Sequence, residues 1–103
     1  MIAGRRQAPL DAVAAQTGAL VVVGDLATEE GARTLIERTI TTYGKIDNLV
    51  LNAGVVHNGK VADFELEHWN QTISINLTTN FLLSKLALPH LVATRGSIVG
   101  VSS

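Results

Sequence analysis

The feature that most constrains this chain is a hydrophobic period that switches between strand and helix along its whole length. Met1-Ile2-Ala3 reads as the end of a strand closed by Gly4. Pro9 suits the first turn of a helix, where its missing N–H costs nothing, and Leu10, Val13 and Ala14 form that helix's apolar stripe up to Gly18. Ala19 to Val23 is an unbroken aliphatic run between turn residues, the pattern of a strand covered on both faces. Thr28 offers an N-cap, and Glu29 and Glu30 suit the positive end of the helix dipole. Ala32, Leu35, Ile36, Thr39, Ile40 and Tyr43 follow at helical spacing, and Gly44 closes that helix. Asp47 to Leu51 reads as a second buried strand, Glu65 to Ile75 as a short helix and Asn76 to Val92 as a longer one. Ser97 to Val101 is a third full strand. Strands alternating with helices connect by right-handed crossovers, which predicts a doubly wound α/β domain with a parallel sheet.

The 103 residues fit one domain, 1–103, and a 47% apolar content is enough to build its core. A formal net charge of −1 argues against a nucleic-acid or anionic-membrane partner. Cysteine is absent, which removes disulfides, thiolate nucleophiles and Cys-based metal sites together and suits a reducing, cytoplasmic location. Met1 to Arg6 brings two arginines with no apolar stretch behind them, so it does not read as a signal peptide. The apolar run Phe81 to Val92 is interrupted by Ser84, Lys85, Pro89 and His90 and is too short for a bilayer. His57, His68 and His90 lack converging spacing, so surface or capping roles are expected and no metal site. Trp69 is read as a core or interface filler, and Glu65 and Glu67 as a solvated helix start.

Three junctions can carry chemistry, and each follows a strand, the edge where open α/β sheets bind ligands. Gly4-Arg5-Arg6 can hold an anion such as a ribose 2′-phosphate against the backbone, or it is a solvated basic pair at a helix entrance. Asp25-Leu26 either caps the next helix or accepts a hydrogen bond from an adenine amino group. Asn52-Ala53-Gly54 either lets a ligand approach the backbone closely or makes a simple turn.

In order and spacing, Gly4-Arg5-Arg6, Asp25-Leu26, Asp47 to Gly54, Ile75-Asn76-Leu77 and Gly96 to Ser103 resemble the central part of the short-chain dehydrogenase/reductase family. The resemblance covers essentially the whole chain. It implies a Rossmann-like sheet that is incomplete here, without its first strand and its C-terminal part. It also implies hydride transfer between a nicotinamide cofactor and a small-molecule alcohol or carbonyl. Arg5 sits where NADP-preferring members carry a basic residue, and Gly4 where NAD-preferring members carry an acid, so NADP is expected ahead of NAD. Asp25 and Leu26 match the pair that contacts adenine, and Asn52, Ala53 and Gly54 match the loop beside the adenosine ribose. The family commonly has a further asparagine before that loop; here the position is Leu51. Asn76 matches the asparagine whose backbone carbonyl holds a water in the proton relay. Ser103, rather than Ser102, matches the serine that bonds the substrate oxygen.

The family's glycine-rich turn would precede Met1, and its Tyr-x-x-x-Lys pair would follow Ser103; Tyr43 and Lys45 have the wrong spacing to replace that pair. The fragment alone is therefore expected to be inactive. The helix Asn76 to Val92 is apolar on more than one face, and its family counterpart packs on a partner subunit, which implies a homo-oligomer. A rival reading is a non-catalytic relative that binds a dinucleotide or a protein partner on the same fold. In the strand order 3-2-1-4-5-6 the first strand lies between the second and fourth. A gap is therefore expected beside Asp47 to Leu51, with unpaired backbone groups on residues such as Leu49 and Leu51.

Overall fold

A computed structural model describes residues 1–102, so Ser103 lies outside the described residues. The elements run β1 (Ile2–Gly4), α1 (Gln7–Thr17), β2 (Val21–Val23), α2 (Glu29–Tyr43), β3 (Asn48–Leu51), α3 (Leu66–Ile73), α4 (Thr79–Thr94) and β4 (Ser97–Gly100). The predicted order of elements holds. Thr28 caps α2 by accepting the Gly31 N–H on its hydroxyl at 3.1 Å. Gly18 and Gly44 end α1 and α2 in the left-handed conformation, with φ of 72° and 75°.

Helix α4 ends differently. Arg95 takes the left-handed position, with φ of 54°, and the Gly96 N–H returns to the Leu91 carbonyl at 2.8 Å. A Cβ on Gly96 would collide with the Asp47 carbonyl oxygen and lie 2.9 Å from Leu91 Cδ2. Close approach to the start of β3, rather than a positive φ, demands glycine there.

The expected break between Ile75 and Asn76 is absent. A π-helical turn, Ser74–Thr78, joins α3 to α4, and the residues bounding it are all right-handed helical. The Thr79 hydroxyl donates to the Ser74 carbonyl five residues back at 3.1 Å, which satisfies an acceptor in the widened turn. A 3-10 turn at Val61–Asp63 lies ahead of α3, in a stretch the hydrophobic period left unassigned.

The strands form two separate parallel pairs, β1 with β2 and β3 with β4. Ile2 lies opposite Val21 and Gly4 opposite Val23; Asn48 lies opposite Ser97 and Leu51 opposite Gly100. No ladder joins β1 to β3 among the described residues. What joins the halves is helix packing. Leu26, Ala32 and Ile36 form one core cluster with Ile46, Leu49, Leu83, Ala87 and Leu91, centred where α2 crosses α4. The Thr94 hydroxyl ties the end of α4 to the Ile46 carbonyl at 2.7 Å.

Two expectations fail on burial. The strands are not covered on both faces: Val23 and Val50 are exposed, and so is every residue of β4. Helix α4 packs on β3, but the face that carries Val50 has no covering element among the described residues. Trp69 is exposed too, so of the two roles read for it, core or interface filler, the core role fails.

The unpaired backbone groups also fall on other residues than expected. The Leu51 carbonyl accepts from Val101 N–H at 2.9 Å and the Asp47 carbonyl from Ser97 N–H at 3.1 Å. Since successive residues of a strand turn their polar groups to opposite sides, Leu49 and Leu51 face β4, and Asn48 and Val50 face away.

Candidate functional site

Each of the three junctions follows the C-terminal end of a strand, and all three line one open trough of about 1080 Å³ between the two strand pairs. The trough runs past Gly4, Arg5 and Arg6 after β1, Gly24 to Ala27 after β2, and Asn52 to Val55 after β3. Residues predicted from three distant stretches of sequence therefore share one rim.

Arg5 and Arg6 are exposed, and neither meets an acid among the described residues. Their guanidinium groups are free to meet an anion. Gly4 has only the Leu10 side chain near its missing Cβ, at 3.7 Å, so this turn brings no carboxylate of its own.

Asp25 does the local work that its position before a helix suggests. Its Oδ1 accepts the Ala27 N–H at 3.0 Å, and its carbonyl accepts from Thr28 N–H at 3.2 Å and the Thr28 hydroxyl at 2.8 Å. The second carboxylate oxygen has no protein partner among the described residues, so capping and ligand binding are compatible. The Leu26 side chain is buried in the core cluster, so only its backbone is offered to the trough.

Asn52, Ala53 and Gly54 are exposed and lie outside any helix or strand. What fixes them is Asn76, in the π-helical turn. Its Oδ1 accepts the Val55 N–H at 2.8 Å and its Nδ2 donates to the Val55 carbonyl at 2.9 Å. One side chain thus supplies both partners of a backbone residue next to the loop. The Asn76 carbonyl itself accepts from Asn80 Nδ2 at 2.9 Å, while Asn80 Oδ1 is buried without a partner among the described residues. Sequence reasoning assigned a role to the Asn76 backbone; the clamp made by its side chain was not predicted.

Replacing Asn76 with leucine should remove both bonds and leave the Val55 N–H and C=O unpaired. We expect a loss of about 2–3 kcal/mol, since each part-buried group left unsatisfied costs about 1 kcal/mol or more. Amide exchange across Asn52 to Val55 should speed up more than elsewhere. Unchanged exchange in that loop would show that the clamp is not what orders it.

Sequence spacing gave no hint that His57 and His68 would meet. Their rings stack 4.3 Å apart, and His57 Nε2 lies 3.1 Å from Gln71 Oε1. Among the described residues no group of three or more His, Asp or Glu is placed to hold a metal ion. No helix among them is long and apolar enough to cross a membrane.

A parallel α/β framework whose junction loops gather a free cation, an acceptor carboxylate and a glycine-bearing backbone on one rim belongs to the Rossmann-like class. Such a rim suits an anionic ligand that carries a nucleoside. More narrowly, the chain belongs to the short chain dehydrogenase family, whose model matches residues 1–103. It is 39% identical over 85 residues to trans-4-hydroxycyclohexanecarboxylate dehydrogenase of Sinomonas cyclohexanicum, covering 82% of this chain and 33% of that protein. It is 34% identical over 87 residues to L-fucose dehydrogenase of Bos taurus, covering 84% of this chain and 32% of that protein. Among solved structures, a short chain dehydrogenase/reductase of Saccharomyces cerevisiae matches with a TM-score of 0.88 at 34% identity. That match covers 98% of this chain and 41% of the yeast chain. The chain thus spans about a third of the length of these curated relatives.

Proposed function

We propose that residues 1–103 are the central part of a longer oxidoreductase that moves hydride between NADP(H) and a small-molecule alcohol or carbonyl. The observation that carries this reading is the shared rim of Gly4-Arg5, Asp25-Leu26 and Asn52-Ala53-Gly54 at the carboxyl ends of β1, β2 and β3. Arg5 would hold the 2′-phosphate, Asp25 the adenine amino group, and the Asn52 to Gly54 backbone would lie along the adenosine ribose. The cofactor supplies the hydride chemistry when bound; these residues bind and orient it. Asn76 would support proton movement through its carbonyl while its side chain holds the loop. Ser103 would bond the substrate oxygen.

The outer face of α3 and α4 supports a homo-oligomer. Leu66, Trp69, Ile73, Leu77, Phe81, Leu88 and Val92 recur at three, four or seven residues and are all exposed. An apolar stripe of that length marks an interaction surface. The absence of cysteine from the sequence fits a cytoplasmic location.

Cofactor preference tests the reading directly. In the longer protein, Arg5→Gln should weaken NADPH by about 1.5–3 kcal/mol, the range for a hydrogen bond to a charged group, and leave NADH nearly unchanged. Affinities for both cofactors, measured by fluorescence titration before and after, decide it. Equal losses for the two, or none for either, would sink the assignment of Arg5 and with it the preference for NADP.

A further inference from the structure

We propose that Asn80 is a positioning residue for the Asn76 carbonyl. Its side-chain amide takes one of that oxygen's two lone pairs and so fixes the direction of the other, where a proton-carrying donor is received. The inference rests on the reading that Asn76 supports proton movement through its carbonyl, and it adds to that reading a residue one helical turn further on.

The carbonyl sits where the helix changes its bonding. The Thr79 N–H reaches back five residues to the Ser74 carbonyl, whereas α4 is an α-helix and bonds four residues back. The step from five to four passes over one carbonyl between Ile75 and Thr78. In that stretch Asn80 Nδ2 donates to the Asn76 carbonyl at 2.9 Å. An amide oxygen cannot donate to a carbonyl, so the nitrogen end of the Asn80 amide is the end that faces Asn76. Elsewhere in the chain, threonine hydroxyls on Thr17, Thr39, Thr42 and Thr72 make the bond to the carbonyl four residues back, at 2.7 or 2.8 Å. A hydroxyl rotates and also accepts. The amide nitrogen only donates, in a direction set by the plane of the side chain. Asparagine is a poor helix former, so helix propensity does not account for it inside α4.

Asn76 is thereby held at three atoms. Its Oδ1 and Nδ2 bond the Val55 N–H and carbonyl at 2.8 and 2.9 Å and fix the side chain against the loop after β3. The bond from Asn80 fixes the peptide plane instead. With one lone pair occupied, the carbonyl presents a single remaining direction to a further donor. With the Asn80 amide removed, an incoming donor is free to take either lone pair, and the oriented path for a proton is lost for part of the time. The cost then falls on the rate of proton movement, with little effect on what binds.

The test compares Asn80→Ala with Asn80→Ser in a longer protein containing this chain. The two new side chains are close in size, and only serine returns a donor to the carbonyl four residues back. Turnover is read as NADPH consumption on a set of cyclic and open-chain ketones. Asn80→Ala should lower kcat about tenfold, the upper end of what one hydrogen bond contributes, with KM for NADPH within about twofold of the parent. The solvent deuterium isotope effect on kcat should rise, because proton movement then limits the rate. Asn80→Ser should bring kcat back to within about threefold of the parent. The Asn76 carbonyl carbon resonance should move upfield in Asn80→Ala and return in Asn80→Ser. Amide exchange across Asn52 to Val55 should stay as in the parent, since the Asn76 side chain is untouched. Equal losses in both variants, or a lower kcat with an unchanged isotope effect, would show that Asn80 only packs and would overturn the proposal. A parent that consumes NADPH with none of the ketones would instead overturn the hydride-transfer reading, and this proposal with it.

Discussion

Gly96→Ala is expected to cost a longer protein containing this chain about 3 kcal/mol or more, a large share of a typical domain's stability. The added methyl would collide with the Asp47 carbonyl oxygen and press on Leu91 Cδ2 at 2.9 Å. Overpacking of that kind costs about 1–3 kcal/mol where side chains can move aside, and backbone is less free to move. The carbonyl in question also accepts the Ser97 N–H, the bond that starts the β3–β4 ladder, so its displacement loses about 1 kcal/mol more. Gly100, at the end of the strand that follows, provides the control. Among the described residues nothing lies within 4 Å of its missing Cβ, so Gly100→Ala meets no such backbone clash and should cost less than Gly96→Ala. Urea unfolding of the two variants beside the parent reads the difference. Similar midpoints for all three would mean that the α4–β4 turn is not packed as described.

The same turn shows where the sequence could be read and where it could not. Helices α1 and α2 were legible because period, cap and stop signal lie within one short stretch: Thr28 at the start of α2, Gly44 at its end, the apolar stripe between. The stop of α4 was read two residues early, at Val92 rather than Thr94, because the left-handed position that glycine fills after α1 and α2 is taken here by Arg95, with φ of 54°. The π-helical turn was missed for a similar reason. The residues that accompany it, Thr79 bonding Ser74 and Asn76 clamping Val55, leave no mark on the hydrophobic period.

The exposed faces of β2, β3 and β4 teach a different lesson. The aliphatic residues Val23, Val50 and Val99 predicted cover on both faces of the strands, and among the described residues they are exposed. At the site, the three junctions could be read because each is a short motif directly after a strand. That they share a rim follows from strand order, which sequence spacing alone does not state. The stacking of His57 on His68 depends on the path of a loop with no periodic signal, and nothing in the sequence marked it.

Alone in solution, residues 1–103 are expected to associate rather than melt cooperatively as a monomer. The chain exposes 7122 Å² of accessible surface, whereas a compact monomer of 10.9 kDa exposes about 5,600 Å². Its radius of gyration is 14.8 Å, against about 12.8 Å for a compact domain of this length. About 1,500 Å² of excess surface is several times the apolar patch that a soluble monomer usually tolerates. Much of it is apolar and continuous: the stripe from Leu66 through Phe81 to Val92 on one side, and Val50, Val99 and Val101 on another. The strand pairs add to this, because a two-stranded sheet is marginal in water and each pair keeps an open edge facing the trough. One core cluster at the α2–α4 crossing is then left to hold both halves together. Sedimentation velocity at tens of micromolar should show species larger than a monomer, and calorimetry should show no sharp transition. A monodisperse monomer with a cooperative melt would refute the argument, since it would mean that the α2–α4 contact alone offsets two open sheets.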